Sequence, residues 1–171
     1  RGGRVPAWKG AMRSEQEVYG AMERYADTVR RICALYLKNA SDTEDIFQEV
    51  FLKYAMRSAA FESAEHEKAW LIRVTINRCK DVLKNVFRSR TVPIDEAAPL
   101  PARQAGLHSD VLEAVLALPE RYRNVIYLHY FEGYSAVEMG KLLRRNVNTV
   151  YTLLARARRM LQARLGGEED A

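Results

Sequence analysis

The chain has 171 residues, 48% hydrophobic and 29% charged, with a formal net charge of +5. That balance excludes an intrinsically disordered chain, and the length suits one domain or two small ones with modest cores. No run approaches the ~20 apolar residues a membrane span needs, nothing resembles a secretory signal, and Cys33 and Cys79 are too few for a disulfide framework, so buried free thiols in a reducing cytoplasm are expected.

Residues 1–11 precede Met12, show no clear period and are read as an extension outside the fold. Val18, Met22, Tyr25, Val29, Ile32 and Tyr36 then recur in fours and threes, one apolar stripe on a helix of about five turns. Asn39 and Ala40 interrupt it, and Ser41 to Glu44 match a capping box that opens a second helix. That helix carries Ile46, Phe47, Val50 and Tyr54 on one face and Asp45, Gln48, Glu49 and Leu52 on the other. Residues 56–66 read as a loop around Phe61. A long helix from about Glu67 to Phe87 follows, with the apolar stripe Ile72, Ile76, Cys79, Leu83 and Val86. Its opposite stripe is Arg73, Asn77, Lys80, Lys84 and Arg88, spanning about 22 Å at the helical rise.

Between residues 91 and 109 the period disappears, while Pro93, Pro99, Pro101 and Gly106 appear, the composition of a flexible linker. Four short helices are predicted beyond it. The first covers Asp110 to Leu118. The second takes Pro119 into its first turn and ends at Gly133. Ser135 to Glu138 form another capping box, opening a helix that runs through Leu143. After the polar turn Arg144, Arg145 and Asn146, a last helix starts near Asn148 or Thr149, with the stripe Val150, Leu154, Ala157, Leu161 and Leu165. The acidic residues Glu168, Glu169 and Asp170 belong to a solvated tail, residues 166–171. The fold class is all-α: two small helical domains, 12–90 and 110–165, joined by a flexible linker, the second a helix-turn-helix domain.

Charge is segregated. Residues 41–66 carry two basic and six acidic side chains, residues 67–90 seven and two, and residues 141–164 seven and none. One acidic and two basic blocks point to separate surfaces for separate partners. A short capped helix, a tight turn and a basic final helix is the arrangement that places one helix in a DNA major groove. Asn148, Thr149, Tyr151, Thr152, Ala155 and Arg156 are its candidate groove residues. Arg144, Arg145, Arg158 and Arg159 suit phosphates, which set affinity and register rather than sequence. In the first domain the stripe from Arg73 to Arg88 suits a single strand's phosphates, with Asn77 available to a base edge. Phe61 and Trp70 near its start either stack on unpaired bases or fill the core. Catalysis finds little support. His66, His108 and His129 lack metal-ligand spacing, and no phosphate loop or hydrolase motif is present, so neither enzyme activity nor a cofactor or metal is expected.

In this order and spacing, the pieces resemble the extracytoplasmic-function (ECF) subfamily of bacterial RNA polymerase sigma factors, over about Ser14 to Leu165. Asp42 to Leu52 are close to the family's region 2.2 pattern D-x-E-D-hydrophobic-x-Q-E-x-F, whose helix docks on the coiled coil of the polymerase's largest subunit. The resemblance implies that Asp45, Gln48, Glu49, Phe51 and Leu52 bind core RNA polymerase. Lys68 to Arg73, with Asn77 and Asp81, resemble A-W-L-x-R-I-A-x-N-x-x-x-D, the segment that binds the melted minus-ten promoter element. That implies DNA contacts at Arg73, Asn77, Lys80 and Lys84 and a flipped-base pocket around Phe61. Leu118 to Arg123 resemble the L-P-x-x-x-R opening of region 4, and Thr149, Val150, Arg156 and Arg158 its minus-thirty-five recognition helix. The implied partners are core polymerase, promoter DNA and an anti-sigma factor.

The sequence departs from the family where Arg144 replaces the usual turn glycine, Arg145 an apolar residue, Tyr151 a frequent lysine, Leu153 a DNA-contacting position and Gly140 an alanine. Positive φ is uncommon outside glycine, so a differently shaped turn is expected. A helix-turn-helix regulator that never engages polymerase is the main competing reading, and an adaptor-like interaction protein the next.

Overall fold

A computed structural model describes residues 12–37, 39–89 and 110–166, and every regular element among them is helical. The predicted N-terminal extension, the linker, His108 and residues 167–171 of the acidic tail lie outside the described residues, as do the side chains of Val86 and Arg88. Two units separate, Arg1–Pro101 and Ala102–Ala171.

In the first unit, α1 spans Glu15–Tyr36 and packs against both α2, Ala40–Met56, and α3, Ala64–Ser89. Ser14 opens α1 with a reciprocal cap: the Glu17 amide donates to Ser14 Oγ at 3.2 Å and the Ser14 amide to Glu17 Oε2 at 2.9 Å. Ser14 to Glu17 thus form an S-x-x-E capping box. The box expected at Ser41 is not the cap of α2. Asn39 takes that position, its Oδ1 accepting the Asp42 amide at 2.7 Å, so the residue expected only to interrupt α1 also starts α2. Ser41 then falls on an exposed position of the first turn. α3 begins three residues earlier than predicted, because Ser63 Oγ accepts the His66 amide at 3.0 Å.

The apolar stripes meet as expected, with Val29, Ile32, Ile46, Val50, Leu71 and Ile72 fully buried. Cys33 and Cys79 are buried free thiols with sulfurs 3.9 Å apart. Glu67 ties the three helices together. Its carboxylate accepts from Tyr54 Oη at 2.6 Å and Tyr25 Oη at 3.3 Å and pairs with Arg24 at 3.4 Å. Burial, followed by the hydrogen bond to Glu67, pushes the Tyr54 phenol up to about 12.

In the second unit, α4 is Asp110–Leu116, two residues shorter than expected. Pro119 is the N-cap of α5, Glu120–Ile126, with extended ψ of 147°, rather than its first helical residue. α5 continues as a π-helical turn, Tyr127–Phe131, and Gly133 at φ 75° ends it. The wider turn leaves Tyr127 and Leu128 buried and Tyr130 and Phe131 exposed. α6, Ala136–Leu143, carries the predicted Ser135–Glu138 capping box, with bonds of 3.2 and 2.8 Å. α7, Val147–Gly166, packs against α4, α5 and α6 through Val150, Leu153, Leu154 and Ala157.

Candidate nucleic-acid interface

The turn between α6 and α7 decides what α7 can present. Arg144 sits at φ 53°, ψ 49°, in the left-handed region, so the turn has the conformation a glycine would supply, and the expectation of a different shape is corrected. A left-handed residue with a side chain costs about 1–2 kcal/mol. The turn is held by the amides of Arg144 and Arg145, both directed at the Gly140 carbonyl, the latter at 2.9 Å. So close is this approach that a Cβ on Gly140 would lie 2.9 Å from the Arg145 carbonyl oxygen. The two departures from the usual pattern are therefore linked: glycine lies where the turn folds back, and arginine where the chain reverses hand. Asn146 then starts α7, its Oδ1 accepting the Asn148 amide at 2.8 Å.

All the predicted second-unit site residues are exposed: Arg144, Arg145, Asn148, Thr149, Tyr151, Thr152, Arg156 and Arg159. At 100° per residue, Asn148, Thr152, Arg156 and Arg159 cluster on one arc of α7, while Tyr151 and Thr149 fall on its flanks. Leu153 is buried against the unit's core, which accounts for a leucine at a position where the family often places a DNA contact. A shallow concavity of about 400 Å³ runs beside this arc, lined by Asn148, Thr149, Thr152, Leu153 and Arg156 of α7, by Arg145 of the turn and by Arg121. Arg121, in the first turn of α5, was missed because its contribution depends on α5 packing against α7. On the other flank, Arg158 Nε donates to Tyr130 Oη at 2.7 Å, which fixes that guanidinium beside the π turn. The arc offers amide, hydroxyl and guanidinium groups and no carboxylate, a chemistry suited to base edges and phosphates.

In the first unit the polar stripe of α3 is solvated to different degrees. Asn77 and Lys84 are exposed, while Arg73 and Lys80 are half-buried. Phe61 and Trp70 are half-buried in a ring cluster. Phe61 stacks on Tyr54 at 5.9 Å and 13° and tilts against Trp70 at 5.7 Å. His66 meets Phe61 edge-on at 5.3 Å, its Nδ1 accepting the Glu62 amide at 3.1 Å. These aromatics join the loop to α2 and α3 while part of their surface stays accessible.

On α2, Asp45, Gln48 and Leu52 are exposed, opposite the buried Ile46, Phe47, Val50 and Tyr54. Two of the residues expected on that surface are placed differently. Phe51 is only 4% exposed and packs against Phe47 at 4.8 Å, because at helical spacing it lies on the core side of Val50. Glu49 is half-buried and ion-paired with Arg78 of α3. The bare surface is therefore Asp45, Gln48 and Leu52, extended one turn by the exposed Met56.

Comparison with known proteins bears on both units. Residues 21–89 match the family model for Sigma-70 region 2, and residues 108–161 that for Sigma-70, region 4. The ECF RNA polymerase sigma factor SigW of Bacillus subtilis is 25% identical over 92% of this chain and 94% of its own length. The ECF RNA polymerase sigma factor SigM of Mycobacterium tuberculosis is 26% identical over 84% of this chain and 74% of its own. Among solved structures, the fold resembles the sigma factor RpoE of Bartonella quintana, crystallised with the anti-sigma factor NepR, with a TM-score of 0.71, 22% identity and coverage of 88% of this chain and 98% of that one.

Proposed function

The chain belongs to the ECF subfamily of RNA polymerase sigma factors and directs RNA polymerase to promoters, and on that premise we propose how its two units divide the work. The first docks on the coiled coil of the polymerase's largest subunit through the bare face of α2 and captures the unpaired minus-ten strand along α3, helping to melt that element. The second grips the minus-thirty-five duplex with α7. Two modest grips on one chain gain from effective concentration, so neither needs high affinity alone. The protein acts in the cytoplasm and brings no catalytic site or cofactor of its own, since the bond-forming chemistry is the polymerase's. An anti-sigma factor, the kind of partner bound to the structurally similar RpoE, would regulate it by covering an apolar patch such as Leu52 and Met56.

One observation carries the polymerase-binding assignment: α2 spends Ile46, Phe47, Val50 and Phe51 on the core and leaves Asp45, Gln48 and Leu52 bare. The test is a titration of labelled protein into bacterial core polymerase beside an Asp45→Ala/Gln48→Ala/Leu52→Ala variant. At least tenfold weaker binding, about 1.4 kcal/mol, is expected from the variant. Equal binding by both would remove this face from the contact.

A further inference from the structure

Two arginines that lie on none of the expected surfaces converge on the aromatic cluster of the first unit. Arg13, just ahead of α1, places its guanidinium carbon 4.8 Å from the ring centroids of both Tyr54 and Phe61. Its backbone amide donates to the Ala55 carbonyl at 2.8 Å, and one terminal nitrogen donates to the Ala59 carbonyl at 2.7 Å. Arg57, directly after α2, places its own guanidinium carbon 4.7 Å from Phe61 and 5.3 Å from Trp70. Thus two positive charges bracket one phenyl ring.

Neither charge has an ion-pair partner among the described residues. Among the described residues, no carboxylate lies within 4 Å of Arg13 or Arg57, and Glu67, on the helix that follows the loop, is committed to Tyr54, Tyr25 and Arg24. The Nε atoms of Arg13, Arg57 and Arg73 are all buried without an acceptor. Arg73 lies three residues after Trp70, on the same side of α3. Holding like charges together at one loop with donors unsatisfied is unfavourable in the free protein. An anion supplied by a ligand reverses that sign. Guanidinium groups beside partly accessible aromatic rings are the chemistry that holds a nucleic-acid single strand, the cations taking phosphates and the rings stacking on bases.

We propose that Arg13 and Arg57 each bind a phosphate of the unpaired promoter strand, the two phosphates flanking the nucleotide positioned by Phe61. This rests on the reading of the first unit as the part that captures the minus-ten strand. Arg13 also positions the loop: its bond to Ala59 and its stacking on Phe61 fix the loop, so strand binding and loop order are coupled through one side chain.

The test uses the full chain and a fluorescein-labelled 12-nucleotide single strand of deoxythymidine, followed by anisotropy between about 25 and 200 mM salt. Each phosphate contact on a single strand contributes about −0.7 to the slope of log K against log salt. The Arg13→Gln/Arg57→Gln variant is expected to be shallower than the parent by about 1.4, and Arg57→Gln alone by about 0.7. Arg13→Lys/Arg57→Lys keeps both charges and is expected to restore the slope, which a purely structural role would leave unmoved in every variant. Arg57 makes no side-chain hydrogen bond among the described residues, so its single variant reports even if losing the Arg13 anchor unfolds the unit. Lys84→Gln, on the expected strand-binding face, separates the two levels of the argument. A slope reduced by Lys84→Gln but not by the arginine variants overturns the arginine site and leaves strand capture standing. A slope changed by neither, or no binding by the parent, overturns both.

Discussion

Adding one methyl group to the turn that aims α7 is a severe test of the second unit's architecture. Gly140→Ala replaces a residue inside α6, where alanine ordinarily stabilises a helix by about 1 kcal/mol over glycine. Here the new Cβ would meet the Arg145 carbonyl oxygen at 2.9 Å. The obstacle is backbone on both sides, so neither rotamer change nor a flexible side chain can relieve it. Relief requires moving the turn, which lengthens the hydrogen bonds from Arg144 and Arg145 to the Gly140 carbonyl and disturbs a left-handed residue already under strain. Overpacking of this kind costs about 1–3 kcal/mol, enough to outweigh the helical gain. The expected net loss is about 1 kcal/mol, or a fall in Tm of about 4–8 °C for a unit of this size. Trp70 lies in the first unit, and residues 102–171 hold no tryptophan. Tryptophan emission therefore follows that unit alone, while circular dichroism at 222 nm follows both. Gly140→Ala should lower a dichroism transition and leave the emission transition in place. In an Arg144→Gly background, which relaxes the turn, the same change should cost measurably less, a coupling expected between neighbours that share a strained segment. A Gly140→Ala protein as stable as its parent would refute the claim that this glycine is held by the close approach of the turn.

Two further outcomes follow from the first unit. Asn39→Ala should cost about 1 kcal/mol in urea denaturation followed by tryptophan emission, because it removes the acceptor for the Asp42 amide. Ser41→Ala should stay within about 0.5 kcal/mol, and the reverse order would return the cap to Ser41. The pH dependence of stability should change with Tyr54→Phe. The phenol's folded value, about 12, lies above its ordinary 10.0, so the fold retains a proton that the unfolded chain releases. That contribution is fully present below pH 10 and is lost as pH rises toward 12. Urea midpoints measured from pH 9 to 11.5 should therefore fall less steeply for Tyr54→Phe than for the parent, and parallel curves would contradict the buried Tyr54–Glu67 bond.

Much of the candidate site could be read along the chain because it lies on single helices. The exposed arc of α7, the bare face of α2 and the polar stripe of α3 are each set by helical period. Where reading failed, two local signals competed or a contact joined distant residues. Asn39 and Ser41 are both good caps, and only the path of the chain out of α1 chooses between them. Phe51 matches a family pattern at a position the core has claimed. Glu49 falls by helical period on the polar face of α2, yet it is half-buried there because its partner Arg78 lies 29 residues away on α3.

By itself, the order of residues determined the helical class, the apolar stripes, the segregation of acidic and basic blocks and the family pattern, since each depends on neighbours within a few turns. Only tertiary structure decided which surface charges remained unpaired. Arg13 reaches the loop at Ala59 across 46 positions, and Arg121 joins the α7 concavity only because α5 packs on α7. The handedness of Arg144 was also settled there. No local preference favours an arginine at positive φ, and what holds it is the packed return of α7 against Gly140. Local periodicity is encoded by spacing, whereas convergence of like charges and a strained turn depend on energies that exist only once the helices are packed.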